Sequence, residues 1–150
     1  MKKLLLILLC VPMIGLGQQT GCISGDCKNG YGRLMYSNGD MYVGEFENSK
    51  FDGFGRYFFR DGESFFGEYK NGKRDGLGRY IYNNGNMYEG SYKDNEIDGF
   101  GVFTFGDRLN FGDKYFGMFK SGKRNGYGVY TKRDGSIYKG LWLDDKFVGE

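Results

Sequence analysis

Histidine is absent from the 150 residues, and proline occurs once. Without an imidazole the chain lacks the commonest general base and the commonest metal ligand, which excludes histidine-dependent chemistry. An excess of either charge is missing too: 21 Lys and Arg stand against 19 Asp and Glu, a net charge of +2. So small a net charge does not steer a chain to polyanions, and nucleic acid is not an expected partner. Long hydrophobic runs are lacking except at the start. There, Lys2-Lys3 precede an apolar run from Leu4 to Leu16 that closes on Gly15-Leu16-Gly17. The run is short for a transmembrane helix. Its charged head, apolar middle and small-x-small end predict a cleaved signal peptide over 1–17, with Gln18 opening the mature chain. Cleavage removes Lys2, Lys3, Cys10 and Pro12. The expected mature protein is therefore neutral, free of proline and exported, either secreted or held in the periplasm or cell envelope.

What remains is rich in glycine (28 residues) and in aromatic residues (19%). That pairing without a collagen period suggests many short strands with tight turns. Gly-x-Gly recurs at Gly30/Gly32, Gly53/Gly55, Gly76/Gly78, Gly99/Gly101 and Gly126/Gly128, in steps of 23, 23, 23 and 27 residues. An aromatic-x-Gly recurs as Tyr42/Gly44, Phe65/Gly67, Tyr88/Gly90, Tyr115/Gly117 and Tyr138/Gly140, again with one interval longer by four. Two separate marks that keep one period define a repeat architecture.

Each repeat reads as a β-hairpin. The turns are Asn38-Gly39, Asp61-Gly62, Asn84-Gly85, an irregular fourth, and Asp134-Gly135. Asn-Gly and Asp-Gly suit a type I′ turn. The hairpins are expected near 31–46, 54–69, 77–92, 100–119 and 127–142, with a longer loop or bulge in the fourth, where four residues are added between Phe105 and Asn110. Alternation places Phe65, Gly67 and Tyr69 on one face, and their counterparts likewise. Each glycine leaves a hole over which a neighbouring ring can lie, so most rings are expected to be packing residues. Polar spacers such as Asn71 to Asp75 and Ser121 to Asn125 separate the hairpins.

Residues 18–29 form a lead-in to the array at 30–150. Cys22 and Cys27 are the cysteines left after cleavage. In an exported protein so close a pair reads as a disulfide. Two alternatives stay open: free thiols, and lipidation of Cys22, since Thr20-Gly21-Cys22 loosely follows a lipobox. Two cysteines without histidine do not build a closed zinc site. No metal or cofactor is expected.

Tyr42-Val43-Gly44-Glu45-Phe46 with Gly53-Phe54-Gly55, and Tyr88-Glu89-Gly90-Ser91-Tyr92 with Gly99-Phe100-Gly101, resemble the MORN (membrane occupation and recognition nexus) repeat. The resemblance runs from about Lys28 to Gly149 and identifies the chain as similar to exported, bacterial-type MORN repeat proteins. It implies an all-β fold of five tandem hairpins of about 23 residues, joined into one elongated, twisted antiparallel sheet. A single hairpin is marginal in water, whereas stacked neighbours bury a continuous aromatic layer.

No catalytic constellation stands out. Gly-x-Gly never extends to a dinucleotide or Walker pattern, and no helix follows it to hold a phosphate. Nothing singles out a carboxylate pair for glycoside hydrolysis. The expected function is a non-enzymatic scaffold outside the cytoplasm, binding a protein partner or a second copy of itself as a homodimer, as the resemblance also implies. The alternative is binding of anionic phospholipid at a membrane surface. Its candidate contacts are Lys70, Lys73 and Arg74 in one spacer and Lys120, Lys123 and Arg124 two repeats on. Such residues near an anionic surface contribute about 1 kcal/mol each. Carbohydrate binding rests on aromatic content alone.

Overall fold

The computed structural model describes residues 20–150; the signal-peptide reading of 1–17 lies outside them. Among the described residues there is one antiparallel sheet of twelve strands in strict chain order. The strands are β1 (Gly21–Gly25), β2 (Gly30–Met35), β3 (Met41–Glu47), β4 (Lys50–Phe58), β5 (Ser64–Lys70), β6 (Lys73–Ile81), β7 (Met87–Lys93), β8 (Glu96–Thr104), β9 (Lys114–Lys120), β10 (Lys123–Thr131), β11 (Ile137–Leu143) and β12 (Lys146–Gly149). The five expected hairpins are β2/β3, β4/β5, β6/β7, β8/β9 and β10/β11. They run further than expected, into the spacers. The lead-in is itself partly strand: β1 pairs with β2, and β12 closes the other edge against β11.

Register explains why the two sequence marks share one period. Gly32 pairs with Gly44, Gly44 with Gly55, and so on through Gly67, Gly78, Gly90, Gly101, Gly117 and Gly128 to Gly140. The second glycine of each Gly-x-Gly and the glycine of each aromatic-x-Gly thus form one ladder of bare backbone across ten strands. Beside it runs an aromatic ladder from Tyr42 through Tyr57, Phe65, Tyr80, Tyr88, Phe103, Tyr115 and Tyr130 to Tyr138. Every second ring lies down on the glycines. A Cβ on Gly101 would stand 2.4 Å from the Tyr88 hydroxyl, so only glycine admits the ring. Tyr42, Phe65, Tyr88 and Tyr115 are fully buried in this way.

The first glycine of each later Gly-x-Gly marks the end of the same layer. Gly53, Gly76, Gly99 and Gly126 pair with Tyr69, Tyr92, Phe119 and Trp142. These rings stand edge-on to the recumbent ones: Tyr88 meets Tyr92 at 5.3 Å and 84°, and Phe119 at 5.2 Å and 85°. Edge-to-face pairs of this kind contribute about 0.5–1.5 kcal/mol each beyond burial. The core is therefore a single ring layer on one face of the sheet. Tyr138, expected to pack like its counterparts, is more than a third exposed. Short β12 brings only Phe147 beside it, at 5.9 Å.

The turns differ from expectation. In Asn38-Gly39 only the glycine has positive φ, and the same holds for Asp61-Gly62, Asn84-Gly85 and Asp134-Gly135. Gly39 N–H donates to Tyr36 O (3.0 Å) and Tyr36 N–H to Asp40 O (2.9 Å). This is a three-residue loop, a type I turn whose left-handed glycine forms a bulge, not a type I′ turn. The type I′ geometry sits in the spacers. Asn48-Ser49, Asn71-Gly72, Asp94-Asn95, Ser121-Gly122 and Asp144-Asp145 all have positive φ at both positions. The spacers are thus two-residue turns, and the sheet is one continuous meander. The fourth loop is longer, as expected, closing with Phe105 N–H on Asp113 O (3.0 Å).

Candidate functional site

The face opposite the rings carries side chains at the alternate positions. Its first row follows the register from Arg33 through Val43, Arg56, Phe66, Arg79, Glu89, Val102, Phe116 and Val129 to Lys139. A second row holds the middle residue of each Gly-x-Gly: Tyr31, Phe54, Leu77, Phe100 and Tyr127. These are 65%, 56%, 62%, 46% and 52% exposed. Opposite them in register stand Glu45, Glu68, Ser91, Met118 and Leu141. The sheet thus spends one set of aromatics on its core and displays a second apolar set to solvent.

Two hollows run between these rows over β2–β8, of about 430 Å³ and 460 Å³. They meet at Phe54 and Phe66, and the backbones of Gly67, Gly78, Gly90 and Gly101 line the second. The charges along this groove are partly committed. Glu45 Oε1 accepts from Phe54 N–H (2.9 Å) and Glu68 Oε1 from Leu77 N–H (3.1 Å), at the bulges beside the Gly-x-Gly. Arg79 pairs with Glu89 at 2.8 Å. Arg56 lies over the Phe58 ring at 4.5 Å and is in no ion pair among the described residues. Beyond β8 the two rows are uncharged up to Lys139. The arrangement offers apolar contact and guanidinium donors. Among the described residues no three His, Cys, Asp or Glu side chains converge as a metal site.

The six basic spacer residues occupy one edge of the sheet, but most are engaged there. Lys73 Nζ pairs with Asp94 (2.9 Å) and Lys123 Nζ with Asp144 (3.5 Å). Arg74 donates to Asn95 O (2.9 Å) and lies over Phe65, Tyr80 and Tyr92. Arg124 pairs with Asp145 (3.0 Å) and lies over Trp142 at 4.5 Å. Lys70 and Lys120 end β5 and β9 exposed, and among the described residues they are in no ion pair. The two clusters are thus each bound to the acidic turn one hairpin further on, because alternate turns of a meander fall side by side. The hydrogen bond from Lys73 holds Asp94 below the usual carboxylate range.

The opposite edge carries a relay that sequence reading missed. The residue after each turn glycine reaches the next turn along. Asp40 accepts from Tyr57 Oη and Arg60 N–H, both at 2.9 Å. Asp113 accepts from Tyr130 Oη (2.6 Å) and Arg133 N–H (2.8 Å). Glu63 takes the Tyr80 hydroxyl, and Asn86 takes Gly106 N–H at 2.8 Å. The Tyr130 hydroxyl and the Arg133 amide hold Asp113 low, while burial and then Asp113 push Tyr130 up to about 12. The signal was available: a polar residue after the turn glycine at 40, 63, 86 and 113. At the start of the sheet Cys22 and Cys27 are joined, with Cα atoms 5.9 Å apart.

Comparison with known proteins gives a match to the family model of the MORN repeat over residues 21–41, 42–64, 65–87, 88–109 and 115–137. No curated protein matches the chain. Among solved structures, the chain is similar to the TCP domain of SAS-4 (dCPAP) of Drosophila melanogaster, determined in complex with a proline-rich motif of Ana2 (dSTIL). The identity is 13% and the TM-score 0.37, over 72% of this chain and 69% of that one, too loose a likeness to carry detail across.

Proposed function

The chain belongs to the MORN repeat family, and from that premise we propose that it is a non-enzymatic scaffold, exported from the cytoplasm, that binds a protein partner or a second copy along its open face. The observation that supports this most is the row Tyr31, Phe54, Leu77, Phe100 and Tyr127, exposed together on one face. Soluble monomers rarely expose contiguous apolar surface beyond a few hundred Å², and larger patches mark interaction sites. The core already has its own ring layer, so packing within the chain does not account for this second set. Over β2–β8 the groove adds guanidinium donors at Arg33 and Arg56, which suits an elongated protein segment laid across the strands. A photo-crosslinking residue in place of Leu77, in the producing cells, is expected to give discrete protein adducts. The same residue in place of Asp61, on a turn, is expected to give none. No adducts from Leu77 would overturn the groove assignment.

A second reading is anionic phospholipid binding along the spacer edge, favoured by Lys70 and Lys120, which are in no ion pair there. Flotation with anionic and neutral liposomes separates the two readings. Salt-sensitive binding to anionic vesicles alone, lost in Lys70→Glu/Lys120→Glu, would make lipid the leading reading.

A further inference from the structure

Past β8 the open face changes character. The groove ends on Glu89, Phe100 and Val102, and the first row reads Glu89, Val102, Phe116, Val129, Lys139 over β7–β11. Read outward from Phe116, it has the same residue type on both sides and then opposite charges. In the second row Met118 pairs with Phe100 on β8, while on β10 Tyr127 falls within the bulge between Arg124 and Gly128, so the symmetry there is one of residue type and not of register. Phe116, Met118, Tyr127 and Leu141 are 52%, 40%, 52% and 52% exposed.

We propose that this C-terminal half of the open face is a self-association surface, on which a second copy docks face to face about a two-fold axis running along β9. Such an axis inverts strand order between the copies and leaves position along the strands unchanged. Phe116 then meets Phe116 of the second copy, Val102 meets Val129, Phe100 meets Tyr127, and Glu89 meets Lys139 at both ends of the seam. Glu89 already pairs with Arg79 of its own chain, and Lys139 of the second copy completes a triad around it. The contact is isologous, so it closes as a dimer and does not grow into a filament.

Shape and size agree with the charges. A twisted sheet is a saddle. A saddle turned over about one of its own strands maps onto itself, so the two faces remain parallel. Five strands at about 4.8 Å and seven residues at about 3.4 Å give a footprint of roughly 600 Å². With side-chain relief the surface buried approaches the ~800 Å² per partner of a stable dimer. Lys114 and Lys120 end β9 on the axis, each opposite its own copy; at the rims their stems cover the seam while the like-charged ammonium groups splay apart into water.

This rests on and deepens the scaffold reading: the seam shares Glu89, Phe100 and Val102 with the end of the groove, but Leu77 lies outside it, so loss of Leu77 crosslinks and loss of the dimer are separate failures. Sedimentation velocity of the full chain tests it. The wild type is expected to dimerise at micromolar concentration. Lys139→Glu and Glu89→Lys should each weaken the dimer by at least about tenfold, as expected for desolvated charge pairs, and the double swap should restore it. Stacked sheets lie about 10 Å apart, too far for a disulfide, so Met118→Cys should give covalent dimers with a short bis-maleimide crosslinker, and Arg56→Cys should not. A wild type that stays monomeric, a swap as weak as the single variants, or equal crosslinking from both cysteines would overturn the proposal.

Discussion

The hydroxyls of two buried tyrosines in one repeat meet different fates. Tyr88 lies on the glycine ladder and donates its hydroxyl to Ser91 O at 3.1 Å. Its counterparts Tyr42 and Tyr115 do the same to Glu45 O and Met118 O. Phe65 fills that slot without a hydroxyl, so the ring supplies the packing and the hydroxyl adds one bond. Tyr92 stands in the edge-on slot, buried, with its hydroxyl unpartnered. Phe46 and Phe119 hold the equivalent slot. Tyr88→Phe is therefore expected to cost about 1 kcal/mol, the worth of one hydrogen bond. Tyr92→Phe removes an unsatisfied polar atom and is expected to be neutral or to stabilise by up to about 1 kcal/mol. Tyr88→Ala empties the ladder and should cost about 3–5 kcal/mol. Urea denaturation of the three variants gives all three values. Equal effects for the two Phe variants would remove the distinction.

At the scale of elements the two kinds of turn carry different strain. Spacer turns need left-handed backbone at both positions, and Ser49 (φ 61°), Asn95 (φ 77°) and Asp145 (φ 68°) adopt it where repeats two and four have Gly72 and Gly122. Ser49→Gly relieves that conformation and keeps the backbone bond from Ser49 N–H to Lys28 O. An increase in stability of about 0.5–1 kcal/mol is expected, offset in part by the entropy of glycine in the unfolded chain. Gly39→Ala, where φ is 96°, should destabilise by a similar amount or more. Thermal melts of the two variants should therefore move in opposite directions. Asn-Gly pointed correctly to where the hairpins turn, because the glycine is indeed left-handed there. It pointed to the wrong turn type, because loop length is set by strand register, which two residues do not encode. Three type I′ turns went unread because Asn-Ser, Asp-Asn and Asp-Asp satisfy positive φ without the glycine that advertises it; Asn71-Gly72 and Ser121-Gly122 carry that glycine but were read as spacers, because the charges around them mark a loop and not a second turn.

The whole molecule is a row of nearest neighbours, each repeat stabilised mainly by the next, and its pH response sums over those contacts. Asp40, Asp94 and Asp113 are held below 3.8, by the Arg60 amide, Lys73 and the Tyr130 hydroxyl respectively. Their contribution is present above the unfolded value and lost as pH falls through the lowered one. Burial raises Tyr42, Tyr69, Tyr88 and Tyr92 well above 10.0. For these, unfolded tyrosines ionise first, so stability is intact below about pH 10 and falls as pH rises beyond it. With no histidine in the chain, no imidazole titrates near neutrality. The melting temperature is expected to be flat from about pH 5 to 9 and to drop on both sides. A slope near pH 6–7 would contradict this.

The sequence by itself determined the repeat, its period, the hairpins, the long fourth loop and the glycine-aromatic layer. Those features are local or periodic: a glycine admits a ring, and alternation fixes its face. Only the tertiary structure decided which face was left over. Phe54 and Phe100 count among the rings expected to pack until register shows that the ring layer closes without them. It also decided the fate of the spacer cations. Lys73 and Asp94 are 21 residues apart in the chain, and it is the meander that lays alternate turns side by side and pairs them. A period says which residues are equivalent; which of them touch depends on how the strands stack.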